Sequence, residues 1–179
     1  EDTGRKNVAI GFEALKTQDA DVDNNNTAVG YNAGRLTSTG IDNTFVGNLA
    51  GDNNSTGLAN VFMGSRAGQF NTTGDVNTFI GSGAGIGVTG AKLTGNNNTA
   101  VGQGAGQKLQ GAAHSNTIFG RDAGAAVSTG LKNTLVGCDS GKTITTGQLN
   151  TYVGFQNTIS AIDVDHEIAI GSLISGAGT

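Results

Sequence analysis

The chain repeats itself from end to end. Asn43-Thr-Phe-Val-Gly47, followed by Ala50-Gly51, returns as Asn26-Thr-Ala-Val-Gly30 with Ala33-Gly34 and as Asn77-Thr-Phe-Ile-Gly81 with Ala84-Gly85. The phrase recurs from Asn98, Asn116, Asn133 and Asn150, and looser copies begin at Asn7, Asn60 and Glu167. The ten copies start at 7, 26, 43, 60, 77, 98, 116, 133, 150 and 167, in steps of 19, 17, 17, 17, 21, 18, 17, 17 and 17. A period this regular defines a stack of like units, each too small to bury its own apolar face and completed by its neighbours. The whole of 1–179 reads as a single repeat domain, and because it begins and ends in pattern it reads as a segment of a longer fibre.

Each phrase is short, β-branched and closed by Gly, which predicts a strand rather than a helix. The fold class is therefore all-β: a parallel β-solenoid or β-roll with about 17 residues per coil. Stacked at about 4.8 Å, ten rungs make a rod roughly 45 Å long. Asn26, Asn43, Asn60, Asn77, Asn98, Asn116, Asn133 and Asn150 then fall in one column, where amides can bond from copy to copy as a ladder. The extra residues always enter between the Ala-Gly pair and the next Asn, which puts the variable turns, 17–24 and 86–95, along one edge.

Two successive strand positions are apolar. The third carries Phe45, Phe62, Phe79, Ile118, Leu135 and Tyr152, the fourth Val29, Val46, Met63, Ile80 and Phe119. Neighbouring strand residues point to opposite faces, so both faces are expected to be covered. A slim coil has one interior, and the simplest second cover is another copy of the chain. The expectation is a parallel homotrimer about a three-fold axis, with these residues as core or interface.

Composition removes several function classes. There are 31 glycines but no Gly-X-Y period, no Pro, a single Cys and a net charge of −4. Collagen, an internal disulfide and a nucleic-acid partner are set aside, and no apolar run is long enough to insert in a membrane. Gly81-Ser-Gly-Ala-Gly-Ile-Gly87 and Gly137-Cys-Asp-Ser-Gly-Lys-Thr143 imitate nucleotide loops, but their glycines belong to the repeat. Asp19, Asp21 and Asp23 have the spacing of half a calcium loop. Asn24 replaces the turn Gly and Gly30 the bidentate Glu, so calcium is a weak candidate. Asp163, Asp165 and Glu167 form a second acidic cluster beside His166. No catalytic constellation stands out, and no enzyme or cofactor is expected.

The Asn-Thr-x-Val-Gly-x-x-Ala-Gly phrase with its Thr-Gly spacers resembles the repeat tracts of bacteriophage tail fibres and related surface fibres. Asn7-Val-Ala-Ile-Gly11 is also similar to the Asn-x-x-Ala-Ile-Gly repeats in the heads of trimeric autotransporter adhesins, though the period here is longer. The resemblance spans about residues 7–171. It implies an elongated homotrimer rich in parallel β-structure, located outside the cell or on a virion surface and built for attachment. The expected partner beyond the chain itself is a cell-surface glycan or protein receptor. Tyr31, Phe12, Phe155 and Lys92 are the candidate contacts. Two alternatives stand beside it. Thr27, Thr44, Thr78, Thr99, Thr117, Thr134 and Thr151 form a column that suits an ice-binding solenoid, although Thr shares its face with the apolar fourth position and is expected to be covered. A polysaccharide-active β-helix enzyme would need clustered carboxylates in one groove, and here they are scattered.

Overall fold

The computed structural model describes residues 6–18, 23–157 and 163–172. The chain winds as a β-solenoid with one strand per coil. The strands are β1 (Val8–Ile10), β2 (Thr27–Val29), β3 (Thr44–Val46), β4 (Val61–Met63), β5 (Thr78–Ile80), β6 (Thr99–Val101), β7 (Thr117–Phe119), β8 (Thr134–Val136), β9 (Thr151–Val153) and β10 (Ile168–Ile170). They form one ten-stranded parallel sheet in the order β1 to β10. Register is kept without slip, Thr44 opposite Val61, Phe45 opposite Phe62 and Val46 opposite Met63. Every sequence column is therefore a spatial column.

Each strand is three residues long because of what brackets it. The Asn before it turns its side chain into the coil. The Gly after it sits at a corner where successive coils nearly touch: Gly47 has φ 136°, and a Cβ there would meet the carbonyl oxygen of Gly64 at 2.6 Å. The residue before the Asn is left-handed in all ten coils, yet it is never Gly. Asp42 (φ 58°), Ala59 (53°), Val76 (55°) and Leu149 (60°) are examples. For a branched residue such as Val76 that conformation is strained by about 1–2 kcal/mol. It is held because its N–H donates to the coil before, Val76 to the Leu58 carbonyl at 2.9 Å and Ala59 to that of Ile41 at 3.0 Å.

Only one of the two apolar strand columns lies inside. The third-position side chains Phe45, Phe62, Phe79, Ile118, Leu135 and Tyr152 are fully buried within their own chain. Across the coil they meet Ala50, Ala67, Ala84, Ala105 and Ala123, which are equally buried. The Gly after that Ala makes room: at Gly51 (φ 59°) a Cβ would lie 2.5 Å from the Phe45 ring. The aromatic rungs stack, Phe45 on Phe62 with centroids 5.5 Å apart and Phe62 on Phe79 at 5.1 Å and 8°. Such pairs add about 0.5–1.5 kcal/mol to what their burial contributes. A second interior column, six residues before the next rung's Asn in the 17-residue coils, holds Asn54 and Asn71 in the Phe45 and Phe62 coils and Val127 and Ile144 further along, with Leu93 and Leu109 in the same column in the two longer coils between them.

The buried polar residues form the ladder. Asn43 Nδ2 donates to Asn26 Oδ1 (3.1 Å) and to the Gly57 carbonyl (2.9 Å), while Asn43 Oδ1 accepts from the backbone N–H of Asn60 (2.9 Å). The pattern continues through Asn133 and Asn150, whose oxygen accepts from the N–H of Glu167 at 2.9 Å. In the middle coils the second column adds another rail, with Asn71 Nδ2 donating to Asn54 Oδ1 at 2.7 Å. These amides satisfy corner N–H and C=O groups that would otherwise be buried without partners.

Candidate functional site

Three surface features could meet a partner. The first is the outward face of the sheet. The first and third residues of each strand, positions two and four of the phrase, project from it, so each rung presents Thr and an aliphatic or aromatic side chain, with Val8, Val61 and Ile168 in place of Thr. The fourth-position column, expected to be covered, is covered by nothing in the single chain: Ile10 is 60% exposed, Met63 43%, Phe119 56% and Ile170 69%. Val29, Val46 and Ile80 are half-buried by their neighbours above and below. The Thr column, also expected to be covered, is half-buried to exposed. The physical reason is narrowness. The coil interior has room for one side chain per strand, and the third position takes it. The ribbon carries no charged residue on any rung. Nine spacings of about 4.8 Å make it about 43 Å long, and at about 10 Å wide it offers roughly 450 Å² of uncharged surface. A patch of that size matches the largest on ordinary monomers, which often serves a function.

The second feature is the column just past the strand Gly. Phe12 and Tyr31 stand on adjacent rungs there with rings stacked at 5.4 Å and 10°, both exposed. Phe155 occupies the same column at the opposite end and is also exposed, so the structure unites two of the expected contacts and separates the third. Arg121 and Cys138 fill it in between, with the guanidinium Nη2 3.1 Å from the Cys138 sulfur and 3.7 Å from Asp139.

The third is the swollen coil. After Ile86 the chain leaves the regular path, turns through a short bridge between Val88 and Ala91, and returns where Leu93 pairs with Asn71 and Gly111. Its base is pinned: Phe70 N–H donates to the Ile86 carbonyl (3.0 Å), Leu93 N–H to that of Phe70 (3.0 Å) and Gly87 N–H to that of Gln107 (3.0 Å). The excursion walls off a cleft of about 500 Å³ between itself and the coils on either side, with Arg66, Gln69, Phe70, Val88, Gln107 and Lys108 on its walls. A smaller hollow of about 150 Å³ lies on the other side of Phe70 and Val88 and is lined by Lys92 and Asn53. Neither hollow has a carboxylate on its walls. Lys92 was expected as a contact from its place in the loop. Arg66 and Lys108 were not, because they sit two rungs apart in otherwise regular coils. Aligning the repeats would have placed them beside the insertion.

The acidic clusters are spent on the fold. Asp163 accepts from the hydroxyls of Thr145 and Thr146 (both 2.6 Å), which hold its carboxyl below the usual range. Asp165 accepts from the N–H of Gln148 at 2.8 Å, and Asp23 pairs with Lys6 at 2.7 Å. Asp19 and Asp21 lie outside the described residues. Among the described residues no three His, Cys, Asp or Glu side chains converge on one point. In the two nucleotide-like stretches Gly81 and Gly137 are corner residues, and Gly85 lies against the Phe79 ring and Gly141 against Leu135. At the end of the ladder, burial and then Glu167 raise the Tyr152 pKa well above its ordinary value, and the phenol lies 3.2 Å from that carboxylate.

No known protein family, curated protein or solved structure matches the chain. Among the described residues no helix is long and apolar enough to cross a membrane.

Proposed function

We propose that the chain is a structural and adhesive fibre segment of the tail-fibre or surface-adhesin kind, a non-enzymatic parallel homotrimer that attaches to a host-cell surface from outside. The observation that carries this reading is the uncharged outward ribbon of the sheet, left open by a single chain over all ten rungs. Three such ribbons facing a common axis would remove about 1,300 Å² from water in all, about 430 Å² for each pair of chains, so the ribbon is the centre of a trimer interface to which flanking turns also contribute. The shared axis and the two amide rails would give a stiff rod, with the edge carrying the insertion turned outward to meet a glycan or protein receptor.

Native mass spectrometry tests the assembly. The wild type is expected at three times the 17.8 kDa of one chain. Val46→Lys with Met63→Lys is expected to yield a folded monomer, because a charge repeated three times at the axis is repelled and desolvated. A wild type that stays monomeric at every concentration would overturn the assembly. Adhesion of the fluorescently labelled trimer to a panel of cells tests the attachment.

One observation favours a second reading. The Thr column stands on an outward, uncharged face with rungs at strand spacing, an arrangement that can order water against ice. The two readings compete for one surface. Thermal hysteresis in a wild type that is monomeric would decide for ice binding, and its absence in a trimer would decide against it.

A further inference from the structure

The cleft beside the insertion differs in charge from the rest of the molecule. The chain carries a net charge of −4, yet Arg66 and Lys108 stand on the cleft walls and Lys92 on the adjoining hollow, with no carboxylate on either lining. Lys6, Lys16, Arg35, Arg121 and Lys142 each hold a carboxylate. Among the described residues the four basic side chains outside such pairs are these three and Lys132. Three of the four unpaired cations thus stand beside the insertion, two of them on the cleft itself. The floor is rigid: Arg66 N–H donates to the Asn48 carbonyl at 2.8 Å, and the Gln69 carbonyl accepts the Asn53 amide at 2.9 Å. A cleft of about 500 Å³ lies within the range of small-ligand sites.

The wall chemistry names a class. Gln69 and Gln107 offer both donors and acceptors suited to hydroxyls, Phe70 and Val88 offer apolar surface for the C–H face of a sugar ring, and Arg66 and Lys108 offer unpaired positive charge. From this combination we infer that the cleft binds a carboxylate-bearing sugar, a uronate or sialate residue of an acidic glycan. Arg66 and Lys108 bracket the carboxylate, and the glutamines take the ring hydroxyls. The two cations belong to coils separated by one rung, about 10 Å apart along the rod, so an anion between them can be reached from both sides. The inference deepens the attachment reading and rests on it for its biological setting, but its binding statement concerns the cleft alone.

The experiment is a glycan array printed with uronate and sialate oligosaccharides and their neutral counterparts, probed with the wild type, Arg66→Ala/Lys108→Ala and Lys132→Ala. The two exposed substitutions break no internal hydrogen bond of the coil, and circular dichroism confirms that each variant is folded. The wild type is expected to bind carboxylate glycans only. The cleft variant is expected to lose about ten-fold or more in affinity, and Lys132→Ala to behave as wild type. Absence of any carboxylate-dependent binding overturns the inference, as does equal loss in Lys132→Ala. Cell adhesion separates the two proposals. A cleft variant that binds the carboxylate glycans and adheres to cells as well as wild type sinks the cleft and leaves the attachment reading standing. Glycan binding by a wild type that adheres to no cell does the reverse.

Discussion

Replacing a ladder asparagine by alanine should cost different amounts in different coils, and the structure says which. Asn60 Nδ2 donates to the Gly74 carbonyl (2.9 Å) and its oxygen accepts the Asn77 N–H (2.9 Å). The Gly74 carbonyl has a second donor, Asn71 Nδ2 at 3.0 Å. Removing the Asn60 amide therefore orphans one buried backbone group, the Asn77 N–H. Asn133 also donates to a corner carbonyl, Gly147 (2.8 Å), and accepts the Asn150 N–H (3.1 Å). Its coil has Ile144 where the Phe45 and Phe62 coils have Asn54 and Asn71, so no second donor reaches Gly147. Asn133→Ala leaves two buried groups unpaired. At about 1–3 kcal/mol for each, Asn133→Ala should be more destabilising than Asn60→Ala by about 1–3 kcal/mol. With a urea m-value of about 2 kcal/mol/M, the midpoints should separate by roughly 0.5–1.5 M. Asn43 and Asn116 serve as duplicates: the Gly57 carbonyl accepts from both Asn43 and Asn54, the Gly130 carbonyl from Asn116. Urea melts of all four variants at one protein concentration, followed by far-ultraviolet circular dichroism, decide the matter. If Asn43 and Asn60 prove as costly as Asn116 and Asn133, the two-rail account is wrong.

Three further outcomes follow from the coil geometry. Val76→Asn should stabilise by about 1 kcal/mol, since Val76 is exposed and left-handed and Asn tolerates that conformation; an unchanged or lower urea midpoint would remove the strain assignment. Gly51→Ala should destabilise by roughly 1–3 kcal/mol through its clash with the Phe45 ring, and Phe45→Leu should relieve part of that, so a double-mutant cycle should show coupling. Tyr152 is held neutral by burial and by Glu167, so its raised pKa contributes stability that is complete below the free phenol value of about 10 and is lost as pH climbs beyond it. Thermal melts should show an alkaline decline that Tyr152→Phe removes.

Much of the fold is legible in the repeat. Period fixes the number of rungs, alternation puts residues three and four of each phrase on opposite faces, and a buried Asn column can be satisfied only by its own copies. What could not be read is which apolar column is internal. Phe45 and Val46 are equally apolar, and the choice is made across the coil, where Ala50 and Gly51 leave a space shaped for the ring. The left-handed residue before each Asn was also hidden, because Lys6, Asp42, Ala59, Val76 and Leu149 share no chemistry there. Their backbone is set by bonds to the previous coil, a tertiary effect that overrides residue preference. At the cleft, the insertion was visible as a coil of 21 residues where its neighbours have 17 and 18, but Arg66 and Lys108 gain their meaning only from the coils that flank it.

Perfect register has a further consequence. A coil such as 60–76 meets the coils on either side through the same Asn, Gly and strand positions that they offer to each other. Excising it would bring Asn43 against Asn77 with the main ladder and the strand pairing intact, and duplicating it would add one more step of the same kind. The rod is in this sense a ruler with interchangeable divisions, whose reach can be lengthened or shortened by whole units while the distant ends go undisturbed.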